Sequence, residues 1–205
     1  PTSAQLLSIE NADVVFVTGL IDFETELFDR ISTKTKIHSI SKNIELISGS
    51  CSHDHQESAD QYTHQHHNHG VDPHIWCSPK QLEIIALNIL EVLREEYPDS
   101  VQYIDAYNKF ASDIHQVSLD ISARIEASGI EYFIVYHPAL TYYARDYGIE
   151  QLELETDGKE PSAAHMAALA AKAKADGIRY ILYQRQFSQK IVEAFARDAG
   201  ATPME

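Results

Sequence analysis

The sequence has 205 residues, 44% of them hydrophobic and 23% charged, which is ordinary for a chain that buries a core as one large domain or two small lobes. A formal net charge of −15 leaves no basic stripe to replace phosphate counterions and so argues against nucleic acid as a partner, and no apolar run approaches the roughly 18 to 20 residues of a membrane span. Two cysteines, Cys51 and Cys77, are too few for a disulfide framework, whereas eleven histidines are an unusual number.

Ala4 to Glu10 carries Leu6, Leu7 and Ile9 at helical spacing. After Asn11-Ala-Asp13, the β-branched run Val14–Val17 ends at Gly19, the pattern of a buried parallel strand. Glu24 to Ile31 reads as a helix and Lys36 to Ile40 as a second strand. Residues 50–70 form a loop rich in Ser, Asp, Gln and His, with too little apolar surface to offset its ordering entropy. From Pro79 a helix over 80–96 places Leu82, Ile85, Ala86, Ile89, Leu90 and Leu93 on one face, and Tyr97-Pro98 breaks it. A second helix from Asp99 to Ala127 would be about 40 Å long, enough to join two lobes as a strut.

After Gly129 the β/α alternation returns. Tyr132–Val135 is a strand, Leu140 to Tyr147 a helix stopped by Gly148, and Gln151 to Leu154 a strand. Pro161 is expected to open a helix to Asp176. Tyr180 to Tyr183 is a strand, Phe187 to Ala199 a helix, and Ala201 to Glu205 the start of a further strand. The pattern predicts an α/β fold of two parallel-sheet β/α lobes joined by a long helix. Residues 1–97 form the first lobe, 98–128 the linking helix and 129–205 the second lobe. Both lobes are expected to be incomplete, the last strand being cut short.

Four segments carry chemistry. In Asp72-Pro73-His74-Ile75-Trp76, Pro73 stiffens the entry and Trp76 can anchor the segment in a core, so that His74 sits at a pre-set loop-to-helix position suited to zinc. A capping or packed histidine beside Trp76 fits the same pattern. His137 closes the strand Tyr132–Val135 at the carboxyl end, where open α/β sheets place ligands. A histidine satisfied by backbone carbonyls fits equally. His53, His55, His64, His66, His67 and His69 lie in this segment, which its composition predicts to be mobile, and such a cluster binds zinc, copper or nickel in many weak arrangements or serves as a solvated spacer. Glu160-Pro161-Ser162 places a carboxylate at a helix start, or is an ordinary helix entry. No His-Glu-x-x-His, Gly-x-Ser-x-Gly, phosphate loop or dinucleotide fingerprint is present, and the nearby carboxylates Asp72 and Asp146 form no recognisable acid/base pair. Cys51 and Cys77 could pair, or Cys77 could be a free buried thiol.

Together these residues resemble the metal-binding receptors of ABC importers, in the zinc-type group that includes the high-affinity zinc uptake receptors. The resemblance runs along essentially the whole chain. It is carried by Asn11-Ala-Asp-Val-Val-Phe-Val-Thr-Gly19 with Glu24, the histidine loop leading into Asp72-Pro-His-Ile-Trp-Cys-Ser-Pro79, and Tyr107-Asn108-x-Phe110. His137 with Tyr143 and Tyr147-Gly148, Glu160-Pro-Ser162, and Gln186-Phe187 complete it. It implies metal held in a cleft between two lobes, with His74 and His137 as ligands from opposite sides. Glu160, Trp76 and Tyr143 are candidates to touch those ligands. Zn2+ is the expected metal, with Mn2+ as the alternative; the manganese-type relatives usually carry Glu at the position of His137, and nitrogen there favours zinc. The resemblance further implies a first-lobe histidine before Pro1 and an acidic residue beyond Glu205.

The implied role is an extracytoplasmic, periplasmic or cell-envelope receptor that delivers Zn2+ to an ABC importer permease. It is expected to be a monomer and to meet the membrane only through that permease or a lipid anchor. A metal-binding surface adhesin or metal buffer is the alternative, and a zinc hydrolase a more distant one, since no general base lies in a recognisable motif.

Overall fold

The computed structural model describes residues 1–28, 36–49, 70–156 and 158–205. The six loop histidines and Cys51 lie outside the described residues, and with them the question of a Cys51–Cys77 pair. The chain divides into two compact units, Pro1–Leu119 and Asp120–Glu205.

In the first unit, α1 (Ser3–Glu10) starts at Thr2 with a capping box: the Thr2 hydroxyl accepts from the Gln5 N–H at 3.3 Å, and Gln5 Oε1 accepts from the Thr2 N–H at 2.7 Å. β1 (Val14–Val17) runs parallel to β2 (Lys36–Ser39), with Val14 opposite Lys36 and Val17 opposite Ser39. β1 is half-buried throughout rather than buried, because among the described residues this sheet has only two strands. Beyond β1, Glu24 of α2 (Asp22–Phe28) accepts the Thr18 N–H at 3.1 Å, the Thr18 hydroxyl at 2.6 Å and the Gly19 N–H at 2.8 Å. Gly19 takes φ +69° there, a conformation that glycine adopts without strain.

A short 3₁₀ turn, Ile75–Cys77, leads into α3 (Pro79–Glu96), which has Pro79 in its first turn. The buried Asn88 of α3 donates both amide hydrogens, to the Ile40 carbonyl at 2.8 Å and the Lys42 carbonyl at 2.7 Å, and so ties down the segment after β2. α4 (Gln102–Ser128) has 27 residues, about 40 Å of helix. The division between the units falls inside it, after Leu119.

The second unit is a four-stranded parallel sheet in the order β4-β3-β5-β6 (Glu150–Glu153, Tyr132–Val135, Tyr180–Leu182, Thr202–Met204). Alternation along β3 and beyond sends Tyr132, Ile134 and Tyr136 into one core with Leu154 and Ile181. Leu169, Ala170 and Ala173 of α6 (Ala163–Ala175) and Val192, Phe195, Ala196 and Ala199 of α7 (Gln189–Ala199) complete that core. Phe133 points the other way and meets Tyr143 of α5 (Thr141–Tyr147) edge to face at 6.4 Å.

Pro161 does not open α6. The helix begins at Ala163 and Ser162 is its N-cap, with the Ser162 hydroxyl accepting the His165 N–H at 3.2 Å. A serine side chain that satisfies a free helix N–H defines the boundary more strongly than a proline, which only removes one donor. Glu160 is therefore outside the first turn, and exposed. Ser162→Ala is expected to lower stability by about 1 kcal/mol with little change in denaturant dependence, as read from urea unfolding.

Candidate metal centre

His74 sits at the foot of the histidine-rich segment. Ser48 and Val71 form an antiparallel bridge, the Gly49 N–H donates to the Gly70 carbonyl, and the Asp72 N–H donates to the Ile47 carbonyl at 2.8 Å. This stem delivers Asp72, which is buried, to a fixed place. Pro73 follows, and the Ile75 N–H closes a tight turn onto the Pro73 carbonyl at 2.8 Å. Asp72 Oδ1 then accepts two bonds from His74, from the backbone N–H at 2.9 Å and from Nδ1 at 2.7 Å.

The anchor of this segment differs from the sequence expectation. Ile75 is fully buried, whereas Trp76 is 40% exposed. Successive side chains in a 3₁₀ turn point about 120° apart, so one residue of the pair faces inward and the other does not. Trp76 instead stands edge-on to the His74 ring, 5.6 Å between centroids. Burial pushes the Cys77 thiol up, and the Asp72 charge adds to it.

His137 lies two residues beyond β3. The strand order β4-β3-β5-β6 reverses direction between β3 and β5, and in open α/β sheets ligands bind at the carboxyl ends beside such a switch. His137 stands at that end. Its Nδ1 is 3.0 Å from Oε2 of Glu155, which is buried. Sequence reading missed Glu155 and named Asp146, which lies against the Arg145 guanidinium at 3.0 Å instead. The signal is in the strand register: Val135 pairs with Glu153, so His137 and Glu155, each two residues further on, come side by side. Eighteen residues of separation hide this until the two strands are known to be neighbours.

The two histidines thus share one arrangement, each within its own unit. An ionised carboxylate only accepts, so Asp72 and Glu155 place the imidazole proton on Nδ1 and leave the lone pair on Nε2. A histidine held this way by a carboxylate is oriented and more basic as a metal ligand. Both rings are partly accessible, with 21% and 27% of the side-chain surface exposed for His74 and His137.

The remaining candidates are placed less directly. Tyr143 packs against Phe133 and Tyr147, and burial pushes its hydroxyl up, with Tyr147 adding to it. Glu160 acts at a distance on Tyr136, whose hydroxyl is pushed up first by burial and then by the charges of Glu160 and Glu155. Among the described residues no group of three or more His, Cys, Asp or Glu side chains is arranged to hold a metal ion. No described helix is long and apolar enough to cross a membrane.

Known proteins place these features in a family. Over 98% of this chain, the sequence is 29% identical to the zinc-binding protein AdcA of Streptococcus pyogenes serotype M3 and 28% identical to the high-affinity zinc uptake system protein ZnuA of Bacillus subtilis. The chain spans 41% of the first protein's length and 64% of the second's. A crystal structure of ZnuA superposes with a TM-score of 0.83 at 26% identity, covering 99% of this chain and 74% of that one. Residues 1–205 match the family described as the periplasmic component A of zinc-uptake complexes, and the chain belongs to that family.

Proposed function

We propose that this chain is the metal-binding part of an extracytoplasmic receptor that captures Zn2+ and delivers it to the permease of an ABC importer. His74 and His137 are its zinc ligands, each donating through Nε2. The observation that carries this reading is the repeated carboxylate–histidine pair, Asp72–His74 at 2.7 Å and Glu155–His137 at 3.0 Å. Two imidazoles oriented by buried carboxylates suit a borderline-soft cation such as zinc better than manganese, which favours oxygen ligands. Both carboxylates are engaged by imidazole Nδ1, which suits ligand orientation rather than the free general base that a zinc hydrolase requires. The names of the relatives, a zinc-binding protein and a zinc uptake system protein, support the same cargo.

The test is zinc-limited growth of cells that lack their own copy of the gene. The wild-type gene should restore growth, and a gene carrying both His74→Ala and His137→Ala should not; equal rescue by the two would overturn the receptor reading.

We assign the six loop histidines an accessory role as weaker zinc sites. Deleting residues 52–69 keeps Gly49 and Gly70, the two ends of the stem. This deletion should preserve the tightest binding event and remove only weaker ones in calorimetry. Loss of the tightest event would make the loop a primary source of ligands.

A further inference from the structure

The segment after β5 lies across the strand-order switch from His137 and touches it at two points. Gln184 Nε2 donates to the His137 carbonyl at 3.2 Å, the same oxygen that accepts the Ala139 N–H at 2.7 Å. Three residues later the Phe187 ring stacks on the His137 imidazole, with centroids 5.1 Å apart and planes inclined by 23°. The same ring stacks on the buried Tyr136 at 5.0 Å and 29°, which ties it to the core of the unit. The Phe187 N–H closes back onto the Gln184 carbonyl at 3.1 Å, so the two residues belong to one turn.

Gln184 carries a second mark. Its Oε1 is buried with no hydrogen-bond partner among the described residues. Native structures rarely leave an amide oxygen in that state. Here the amide is placed by the bond that its nitrogen makes to the backbone of His137, and the oxygen bears the consequence.

We infer that Gln184 and Phe187 are positioning residues for His137. Glu155 selects which ring nitrogen faces away from β4, Phe187 fixes the plane of the ring, and Gln184 fixes the backbone from which the ring projects. A ligand so constrained before the cation arrives loses less freedom on binding. The inference rests on His137 being a zinc ligand.

The experiment is a zinc competition titration against a chromophoric chelator, with thermal melting of each variant alongside. The variants are Phe187→Leu, Gln184→Ala and Phe187→Tyr, in the wild-type and the His137→Ala backgrounds. Phe187→Leu and Gln184→Ala should each weaken zinc binding by roughly tenfold, within the range seen when residues that orient a metal ligand are removed. Phe187→Tyr, which keeps the ring, should retain most of the affinity. In the His137→Ala background neither Phe187→Leu nor Gln184→Ala should weaken binding further beyond about twofold, because the residue they act through is gone.

Equal losses in both backgrounds, following the loss of melting temperature, would assign the two residues to general stability and overturn the inference. Unchanged affinity in the wild-type background would also overturn it while leaving His137 as a ligand. Wild-type affinity in His137→Ala itself would instead remove the ligand assignment on which the inference stands.

Discussion

His137→Ala is expected to weaken zinc binding by about 100-fold or more, and His74→Ala by a similar factor. Each substitution removes a nitrogen donor outright. Each also leaves a buried carboxylate, Glu155 or Asp72, without the imidazole that it now bonds at 3.0 or 2.7 Å. A buried acceptor that loses a bond is costly, so part of the effect should appear as lower stability, more so for Glu155, because Asp72 still accepts the backbone N–H of position 74. The two contributions separate through the carboxylates. Glu155→Gln and Asp72→Asn keep the donor nitrogen and most of the shape but no longer enforce the proton on Nδ1, and each should cost roughly 10- to 100-fold in affinity. Calorimetric titration with a competing chelator measures all four. Affinity unchanged in both alanine variants would sink the ligand assignment.

The second large effect lies in the second unit, at Phe195 of α7. Its side chain is fully buried among Val192, Ile181 and the small residues of α6 and α7. Phe195→Ala removes a whole ring from a core closed by Ala170, Ala173, Ala196 and Ala199, which are too small to collapse into the space. The expected loss is about 3 to 5 kcal/mol, a large share of the roughly 5 to 15 kcal/mol that stabilises a typical domain. Urea unfolding followed by circular dichroism measures it. A loss below about 1 kcal/mol would mean that α7 does not pack on this sheet as described. Zinc binding should weaken in the same variant, since His137 is held by the ends of β3, β4 and β5.

Most elements were legible in the sequence because their signals are local. Val14–Val17 and Tyr132–Val135 are short apolar runs bounded by turn residues, and both are strands over those residues. Gly148 takes φ +68° after Tyr147, the left-handed helix end that only glycine adopts readily. The helix over 80–96 follows from the apolar face on α3, with Pro79 at its start. Local signals misled where two residues competed for one boundary, as Pro161 and Ser162 did, and where two neighbours competed for one buried position, as Ile75 and Trp76 did.

By itself the sequence determined the α/β class, the order of the elements, and His74 and His137 as the histidines set at element boundaries. Periodicity, turn residues and the position of a side chain at a strand end are properties of a few consecutive residues. What completes each histidine was decided in part beyond that range. Asp72 lies two residues from His74 and was in view, although its stem to Ile47 and Gly49 was not. Glu155, Gln184 and Phe187 reach His137 only because β4 and β5 flank β3 on either side, so that residues 18 to 50 positions further along the chain meet the imidazole or the carbonyl of one histidine.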